Sequence, residues 1–353
     1  MNKNIKIANR SIGEGCRPFV IAELSGNHQQ SYALAIEMIE AAAASGADAI
    51  KLQTYTADSM TLELDHDEFL ISDENSLWQG ESLHELYQKA ATPYEWHEGL
   101  FAHAKQLGLI AFSSPFDEDA VDFLESLDVP CYKIASFENT DLSLIRKVAK
   151  TGKPVIISTG MASVAEIEEA FKAAREVGCE ELILLKCTSA YPAPSKDINL
   201  QTILDMKTRF DCLIGLSDHT VGSDIAIAAS ALGAVVIEKH FVLDRTLGGV
   251  DAAFSLEPRE LRCMVDSIKN VSLAMGGINY GDTKSDTDAK RYRRSLYISE
   301  SIQAGEKVSV QNLRTVRPGL GLAPKYAETI LGRTAKNYIS KGTAVSWDLF
   351  IDE

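Results

Sequence analysis

The sequence predicts a (β/α)8 barrel followed by a small β-rich module, and three observations predict it. Short apolar, β-branched runs alternate with amphipathic helical stretches through most of the chain. Eight such runs lie between Phe19 and Phe241, the number that closes a parallel barrel. Neither a G-x-G-x-x-G after the first run nor a Walker G-x-x-x-x-G-K-[ST] occurs, so the usual signatures of a doubly wound open sheet are missing. The length, 353 residues, suits one large domain plus a small one.

The runs are residues 19–24, 49–54, 110–115, 131–136, 154–159, 182–189, 213–218 and 234–241. Between the first two, residues 31–45 are rich in Ala, Ile and Met and end at Gly46, a helix with a glycine C-cap. Residues 55–109 are too many for one helix. They carry Trp78, His84, Tyr87, Tyr94, Trp96 and His97. A long connection at the functional rim of a barrel covers a site, although packing alone explains most of these aromatics. Residues 142–150 and 223–232 end just before Gly152 and Gly233, and residues 163–177 open on a Ser163/Glu166 capping box. Residues 258–275 form the eighth helix. Gly276-Gly277 and the polar stretch 281–290 then mark a linker. The expected boundaries are 1–280 for the barrel, 281–290 for the linker and 291–353 for the module. About 60 residues are marginal alone, so the module is expected to pack on the barrel or on a partner subunit.

Apolar residues make up 45% of the chain and charged residues 24%, enough for a full core. The charge sum, 35 − 50 = −15, disfavours nucleic acid and anionic membrane, which need a basic footprint. It leaves room for an anionic small substrate held by a few local cations. No signal peptide and no membrane-spanning run is apparent. Cys16, Cys131, Cys179, Cys187, Cys212 and Cys263 are scattered without a C-x-x-C pair. The expectation is a cytoplasmic chain with reduced thiols.

In such a barrel the C-terminal ends of the strands face the site. The run ends carry Glu23; Lys51 and Gln53; Ser113 and Ser114; Lys133 and Ser136; Ser158; Thr188 and Ser189 with Tyr191 beyond; Ser217, Asp218 and His219; and Glu238 and His240. Packing alone does not explain polar groups at one end of every strand, because unpaired buried charge is costly. Alternation puts Val236, Glu238 and His240 on one face and Lys239 on the other, and puts Lys51 with Gln53. A lysine among apolar neighbours there is an anion ligand, an imine-forming nucleophile, or half of an ion pair. Lys51 and Lys133, beside Ser114, Ser136 and Ser158, read as a phosphate or carboxylate cradle. His219 and His240 are 240 − 219 = 21 residues apart, one αβ unit. They would sit on adjacent strand ends, either as satisfied polar histidines or as two ligands of a divalent metal with open positions.

Several segments together resemble one family. They are Ala22-Glu23-Leu24-Ser25-Gly26-Asn27-His28, Lys51-Leu52-Gln53-Thr54, Phe112-Ser113-Ser114-Pro115-Phe116, Tyr132-Lys133-Ile134-Ala135-Ser136 and Ser158-Thr159-Gly160-Met161. Lys186-Cys187-Thr188, Tyr191-Pro192, Gly215-Leu216-Ser217-Asp218-His219-Thr220 and Glu238-Lys239-His240-Phe241 continue the series in the same order. Asn312-Leu313-Arg314 and Arg317-Pro318-Gly319 resemble the antifreeze-like (SAF) module. The set is similar to the sialic acid synthases (NeuB-like), which condense phosphoenolpyruvate with an amino-sugar aldehyde. Glu23-Leu24-Ser25-Gly26-Asn27-His28, Thr92-Pro93-Tyr94-Glu95-Trp96-His97 and Arg294-Ser295-Leu296-Tyr297 are closer to the pseudaminic acid synthases than to the N-acetylneuraminate synthases.

The resemblance implies a (β/α)8 TIM barrel plus SAF domain in a domain-swapped homodimer. It implies a divalent metal, commonly Mn2+ with Co2+ or Mg2+ as alternatives, on His219 and His240. Phosphoenolpyruvate would be held by Lys51, Lys133, Ser136, Ser158 and Ser217, with Ser114 where many members have Thr, and Gln53 beside them. Glu23 matches a Glu near metal and substrate, Glu138 one that handles the attacking water, and Tyr191 an acceptor-site Tyr. Arg317 matches an Arg that reaches the acceptor's N-acetyl group from the other subunit. Ser189 stands where neuraminate synthases often have Asn, and Gly248-Gly249-Val250-Asp251 departs from Gly-Pro-Asp, so Asp251 is a less secure acceptor ligand. The alternatives are an N-acetylneuraminate or legionaminic acid synthase; a class I aldolase using Lys51, Lys133 or Lys239; and a non-catalytic sugar- or ice-binding protein.

Overall fold

A computed structural model describes residues 4–72, 77–281 and 283–351. Asp282 of the expected linker and the last two residues of the expected module lie outside them. The chain divides into two compact units, Met1–Gly276 and Gly277–Glu353.

The first unit opens with a hairpin, β1 (Asn4–Ile7) and β2 (Arg10–Gly13), paired antiparallel with Ile5 opposite Ile12. Sequence reading misses it, because two four-residue strands are too short to show a period. Its Ile5, Ile7 and Ile12 nevertheless join the main core. Arg10 lies 3.4 Å and Arg17 2.5 Å from Asp48, which precedes the second barrel strand, and Lys6 N–H donates to Glu181 Oε1 at 3.5 Å ahead of the sixth. The hairpin therefore sits at the N-terminal ends of the barrel strands, away from any site at the opposite rim. Ile12→Ala is expected to cost about 2–5 kcal/mol of stability, read from urea unfolding. The turnover of the folded fraction should not change, and a matching loss of turnover would contradict this placement.

Eight parallel strands close the barrel: β3 (Phe19–Glu23), β4 (Ala49–Thr54), β5 (Ile110–Pro115), β6 (Tyr132–Ile134), β7 (Val155–Ser158), β8 (Leu182–Cys187), β9 (Leu213–Asp218) and β10 (Val236–His240). β10 returns to β3 with His240 opposite Glu23. Every strand is buried on both faces except at Gln53 and Ala111, as parallel sheets under helices require. The fourth run is longer than its strand. After Ile134 the chain turns into a 3-10 segment, Ser136–Glu138, which takes these two side chains off the sheet.

The helices follow the expected order: α1 (Tyr32–Ala44), then α2 (Ala57–Met60), α3 (Leu83–Ala90) and α4 (His97–Gln106) in the long connection. α5 (Glu118–Ser126), α6 (Leu142–Ala149), α7 (Val164–Glu176), α8 (Thr202–Arg209), α9 (Asp224–Ala231) and α10 (Pro258–Met275) complete the ring. The Ser163/Glu166 box caps α7 reciprocally, with hydrogen bonds of 3.3 and 2.7 Å.

Two buried histidines fasten the long connection to the barrel. His97 Nε2 bonds Thr54 Oγ1 at 2.8 Å, which bonds Ser113 Oγ at 2.6 Å, while His97 Nδ1 meets Pro93 O at 3.1 Å. His28 Nε2 meets Thr92 Oγ1 at 3.1 Å. Burial lowers both histidines to about 4, so they are neutral at pH 7. Tyr94, Trp96 and His97 are thus packing groups. Trp78 and Tyr87 are not.

In the second unit β11 (Ser295–Ile298) and β12 (Leu313–Val316) pair antiparallel over a core of Leu296, Ile298, Ile302, Val308 and Ile330. The stretch 281–290, expected as a linker, contains a short helix, α11 (Lys284–Ala289). Its polar composition hid a Thr283/Asp286 capping box, with Asp286 N–H donating to Thr283 Oγ1 at 3.2 Å.

Candidate active site

The strand ends and the long connection enclose a cavity of about 570 Å³, within the range of small-molecule sites. Two buried ion pairs form its floor. Lys51 Nζ, on β4, lies 2.5 Å from Glu23 Oε2 on β3 and donates to Ser114 Oγ on β5 at 3.2 Å. Gln53 Nε2 donates to the other Glu23 oxygen at 3.0 Å. Lys133 Nζ, on β6, donates to Glu238 Oε1 on β10 at 3.2 Å, and Ser217 Oγ donates to the same oxygen at 3.1 Å.

Burial opposes charge on Lys51, Lys133 and Glu238, and the outcome differs between them. For Lys51 the Glu23 and Glu238 carboxylates outweigh burial and hold the ammonium above its ordinary range. For Lys133 burial wins over Glu238, and the ammonium is held below its ordinary range. Glu238 resists burial through Lys133 and Lys51 and falls to about 2. Each lysine of the floor is thus paired with a carboxylate.

Around it stand polar atoms awaiting partners. Ser158 Oγ, Glu138 Oε2 and Glu238 Oε2 are buried without a hydrogen bond, an arrangement that calls for a ligand or water. Ser136 faces the backbone of Gly160 so closely that a Cβ at Gly160 would lie 2.6 Å from its Oγ. Glu138 closes this side; burial raises its carboxyl to about 7.

On the opposite side the His219 and His240 rings stand edge to face, 5.2 Å between centroids. His219 Nδ1 lies 3.0 Å from the Thr188 carbonyl. A carbonyl only accepts, so Nδ1 carries the proton and Nε2 keeps its lone pair. His240 Nδ1 is 3.4 Å from Asp251 Oδ2 but lacks hydrogen-bond geometry, leaving a buried ring nitrogen without a bond. Asp251 is anchored by Ser25 Oγ, and its N–H donates to Asn27 Oδ1 at 3.1 Å. No cluster of three His, Cys, Asp or Glu able to hold a metal ion occurs among the described residues. What the chain offers a divalent metal is two imidazoles, one held at Nδ1 by the Thr188 carbonyl and one with an orphaned nitrogen. That donor set fits a metal completed by other ligands.

Tyr191 stacks 4.5 Å from His219, and Trp78 leans over Tyr191 while its indole N–H donates to Val250 O at 3.0 Å. The cavity lining includes Glu23, Lys51, Gln53, Lys133, Ser136, Glu138, Ser158, Tyr191, Ser217, His219, His240 and Asp251. Ser114 stands behind Lys51. Arg317 belongs to the second unit, just past β12, and is exposed there. Lys239 points away from the cavity and is buried against Asp218 Oδ2 at 2.8 Å and the Thr220 carbonyl, so it is a structural ion pair. Sequence reading put Glu238 at a strand end facing the site but gave it no role there. The signal was available, because Glu238 shares its face with His240. Ser25 and Trp78 carried no comparable signal.

Residues 38–280 match the NeuB family, and residues 293–351 match the SAF domain. The chain belongs to the NeuB family. Within it, the pseudaminic acid synthase of Helicobacter pylori is 45% identical over 332 residues, covering 94% of this chain and 97% of that protein. An N,N'-diacetyllegionaminic acid synthase of Campylobacter jejuni is 38% identical over 327 residues, covering 91% and 97%. The crystal structure of an N-acetylneuraminic acid (sialic acid) synthetase from Leptospira borgpetersenii, in complex with citrate, is 31% identical with a TM-score of 0.73, covering 82% of this chain and 95% of that one. The NeuB chain described here contains no helix long and apolar enough to cross a membrane among its described residues.

Proposed function

We propose that this protein is a pseudaminic acid synthase. It condenses phosphoenolpyruvate with 2,4-diacetamido-2,4,6-trideoxy-L-altrose and water, giving pseudaminic acid and phosphate. The observation that carries the reaction class is the convergence of Lys51, Lys133, Glu138, His219 and His240 on one cavity. The identity to a pseudaminic acid synthase, 45% against 38% for a legionaminic acid synthase, favours the acceptor.

Lys51 and Lys133, with Ser136, Ser158 and Ser217, hold the phosphate and carboxylate of phosphoenolpyruvate. Fixing both ends orients its C3 toward the sugar aldehyde and removes the entropy cost of a bimolecular encounter. His219 and His240 hold a divalent metal, Mn2+ with Co2+ or Mg2+ as substitutes. When bound, it supplies Lewis-acid polarisation of the aldehyde carbonyl. As C3 bonds to the aldehyde carbon, the carbonyl π pair moves to the oxygen, which takes up a proton to become a hydroxyl, and the positive charge that develops at C2 is stabilised by Glu23. Glu138 takes a proton from the water that adds to C2. The tetrahedral centre then collapses with cleavage of the C2–O bond, and phosphate leaves. Tyr191 and Asp251 contact the acceptor. Arg317 reaches its N-acetyl group from the partner subunit of a domain-swapped homodimer in the cytoplasm.

The base must be ionised to work. Turnover should therefore rise as pH increases through about 7, the value to which burial lifts Glu138. Glu138→Gln should lose about 10²–10⁴-fold in kcat and lose that limb of the profile. An unchanged profile would remove Glu138 from the proton transfer.

The deciding assay offers phosphoenolpyruvate with the trideoxy-altrose, with N-acetylmannosamine and with the legionaminic precursor sugar. It follows phosphate release and the mass of the nine-carbon acid, with and without chelator. Failure with every sugar sinks the proposal. The lowered ammonium of Lys133 is a property that an imine-forming aldolase would also use. Borohydride trapping of a lysine with pyruvate, together with chelator-insensitive activity, would establish that rival.

A further inference from the structure

The cavity is divided chemically. Its floor and one side, built from strand ends, carry nearly all the charge. Its outer side is built from the connection between β4 and β5, and among the described residues it is mostly apolar. Met60, Ile71, Trp78, Leu83 and Leu86 line it. The first four are half-buried and the last is buried; Trp78 and Leu86 also border a second pocket. The one polar atom among these five side chains, the Trp78 indole N–H, is committed to the Val250 carbonyl at 3.0 Å. The same bond ties the connection to the loop after β10 and fixes the apolar side over Tyr191.

We infer that this apolar side recognises the non-reacting end of the acceptor and selects sugars that end in a methyl over those that end in a hydroxymethyl. The inference rests on the synthase reading above. With phosphoenolpyruvate on the lysines and the aldehyde carbon beside His219 and His240, the sugar's last carbon is the atom farthest from the floor. It meets Met60, Ile71, Leu83 and their neighbours. A methyl there is removed from water into hydrocarbon and gains from it. A hydroxyl there leaves water and finds no partner on these side chains. Apolar pockets discriminate against one added hydroxyl by about 10²-fold at most, which sets the size of the effect. Tyr55 and Tyr87 bring hydroxyls of the same connection to the cavity, and Tyr87 follows Leu83 by one helical turn on α3, so Tyr87→Phe is a further variant that should raise the preference for the methyl sugar if its hydroxyl serves the 6-hydroxy acceptor.

The test uses the full-length enzyme and two acceptors identical except at C6: the 2,4-diacetamido-2,4,6-trideoxy sugar and its 6-hydroxy counterpart. The wild-type kcat/KM ratio should favour the methyl sugar by about 10–100-fold. Leu83→Gln, which offers a hydroxyl a partner, and Ile71→Thr, a milder change, should each reduce that ratio by about tenfold. The change should fall mainly on the acceptor's KM, while the KM for phosphoenolpyruvate stays within about twofold. Circular dichroism and urea unfolding confirm that both variants are folded. A wild-type ratio near one, or two folded variants that keep the wild-type ratio, overturns the assignment and leaves the synthase reading standing. Wild-type enzyme that releases phosphate with neither sugar overturns both.

Discussion

Lys133→Met is expected to abolish condensation and to destabilise the barrel by about 3–5 kcal/mol, because it strands a buried carboxylate. Glu238 keeps its charge in the barrel interior chiefly through Lys133, with Lys51 second, and these hold it near 2. The depressed value means that Glu238 adds stability above the unfolded glutamate range, and that this is lost as pH falls toward 2. Without Lys133 the carboxyl should take up a proton at much higher pH, so the variant's stability should become pH-dependent near neutrality. The double variant Lys133→Met/Glu238→Gln removes both charges and should recover most of the stability but none of the activity. Urea unfolding and phosphate release measure the two effects separately. A stable, active Lys133→Met would show that the lysine is neither an anion ligand nor a needed counter-charge.

The second large effect belongs to the histidines. His219→Ala and His240→Ala should each lower kcat by about 10³-fold or more, since Lewis-acid stabilisation is worth several kcal/mol at about 1.4 kcal/mol per tenfold. Both should stay folded in a urea titration, with the larger loss of stability in His240→Ala, whose ring lies 3.4 Å from the buried Asp251 carboxylate. Wild-type enzyme treated with chelator should lose activity and regain it with Mn2+, whereas the variants should not respond to added metal. Full activity in His219→Ala after chelation would exclude the metal role.

The barrel was legible because its eight strands are short, apolar and evenly interrupted by capped helices, and both signals are local. The ends of the runs were less legible. Residues 131–136 look like one strand, yet the chain leaves the sheet after Ile134 to present Ser136 and Glu138. No local pattern announces that turn. The face of each strand was readable from alternation, which set Lys51 and Gln53 together and turned Lys239 outward. Lys51 pairs with Glu23 on the neighbouring strand, 28 residues back, whereas the pairing of Lys133 with Glu238 over 105 residues lies across the barrel and comes from its closure, to which no window of sequence has access. The division of the cavity into a charged and an apolar side was hidden for the same reason. Its apolar members are spread over residues 60–86 and share no period.

The pairing of each floor lysine with a glutamate has a thermodynamic corollary. Lys51, Lys133, Glu23 and Glu238 sum to zero formal charge before any ligand arrives. A phosphoenolpyruvate anion therefore brings negative charge that the floor by itself does not offset into a medium that tolerates little of it. Its association must be linked to uptake of positive charge, with protons one carrier. Titration calorimetry in buffers of different ionisation enthalpy should report that linkage as a buffer-dependent heat, and affinity should strengthen toward lower pH until the ligand itself is protonated.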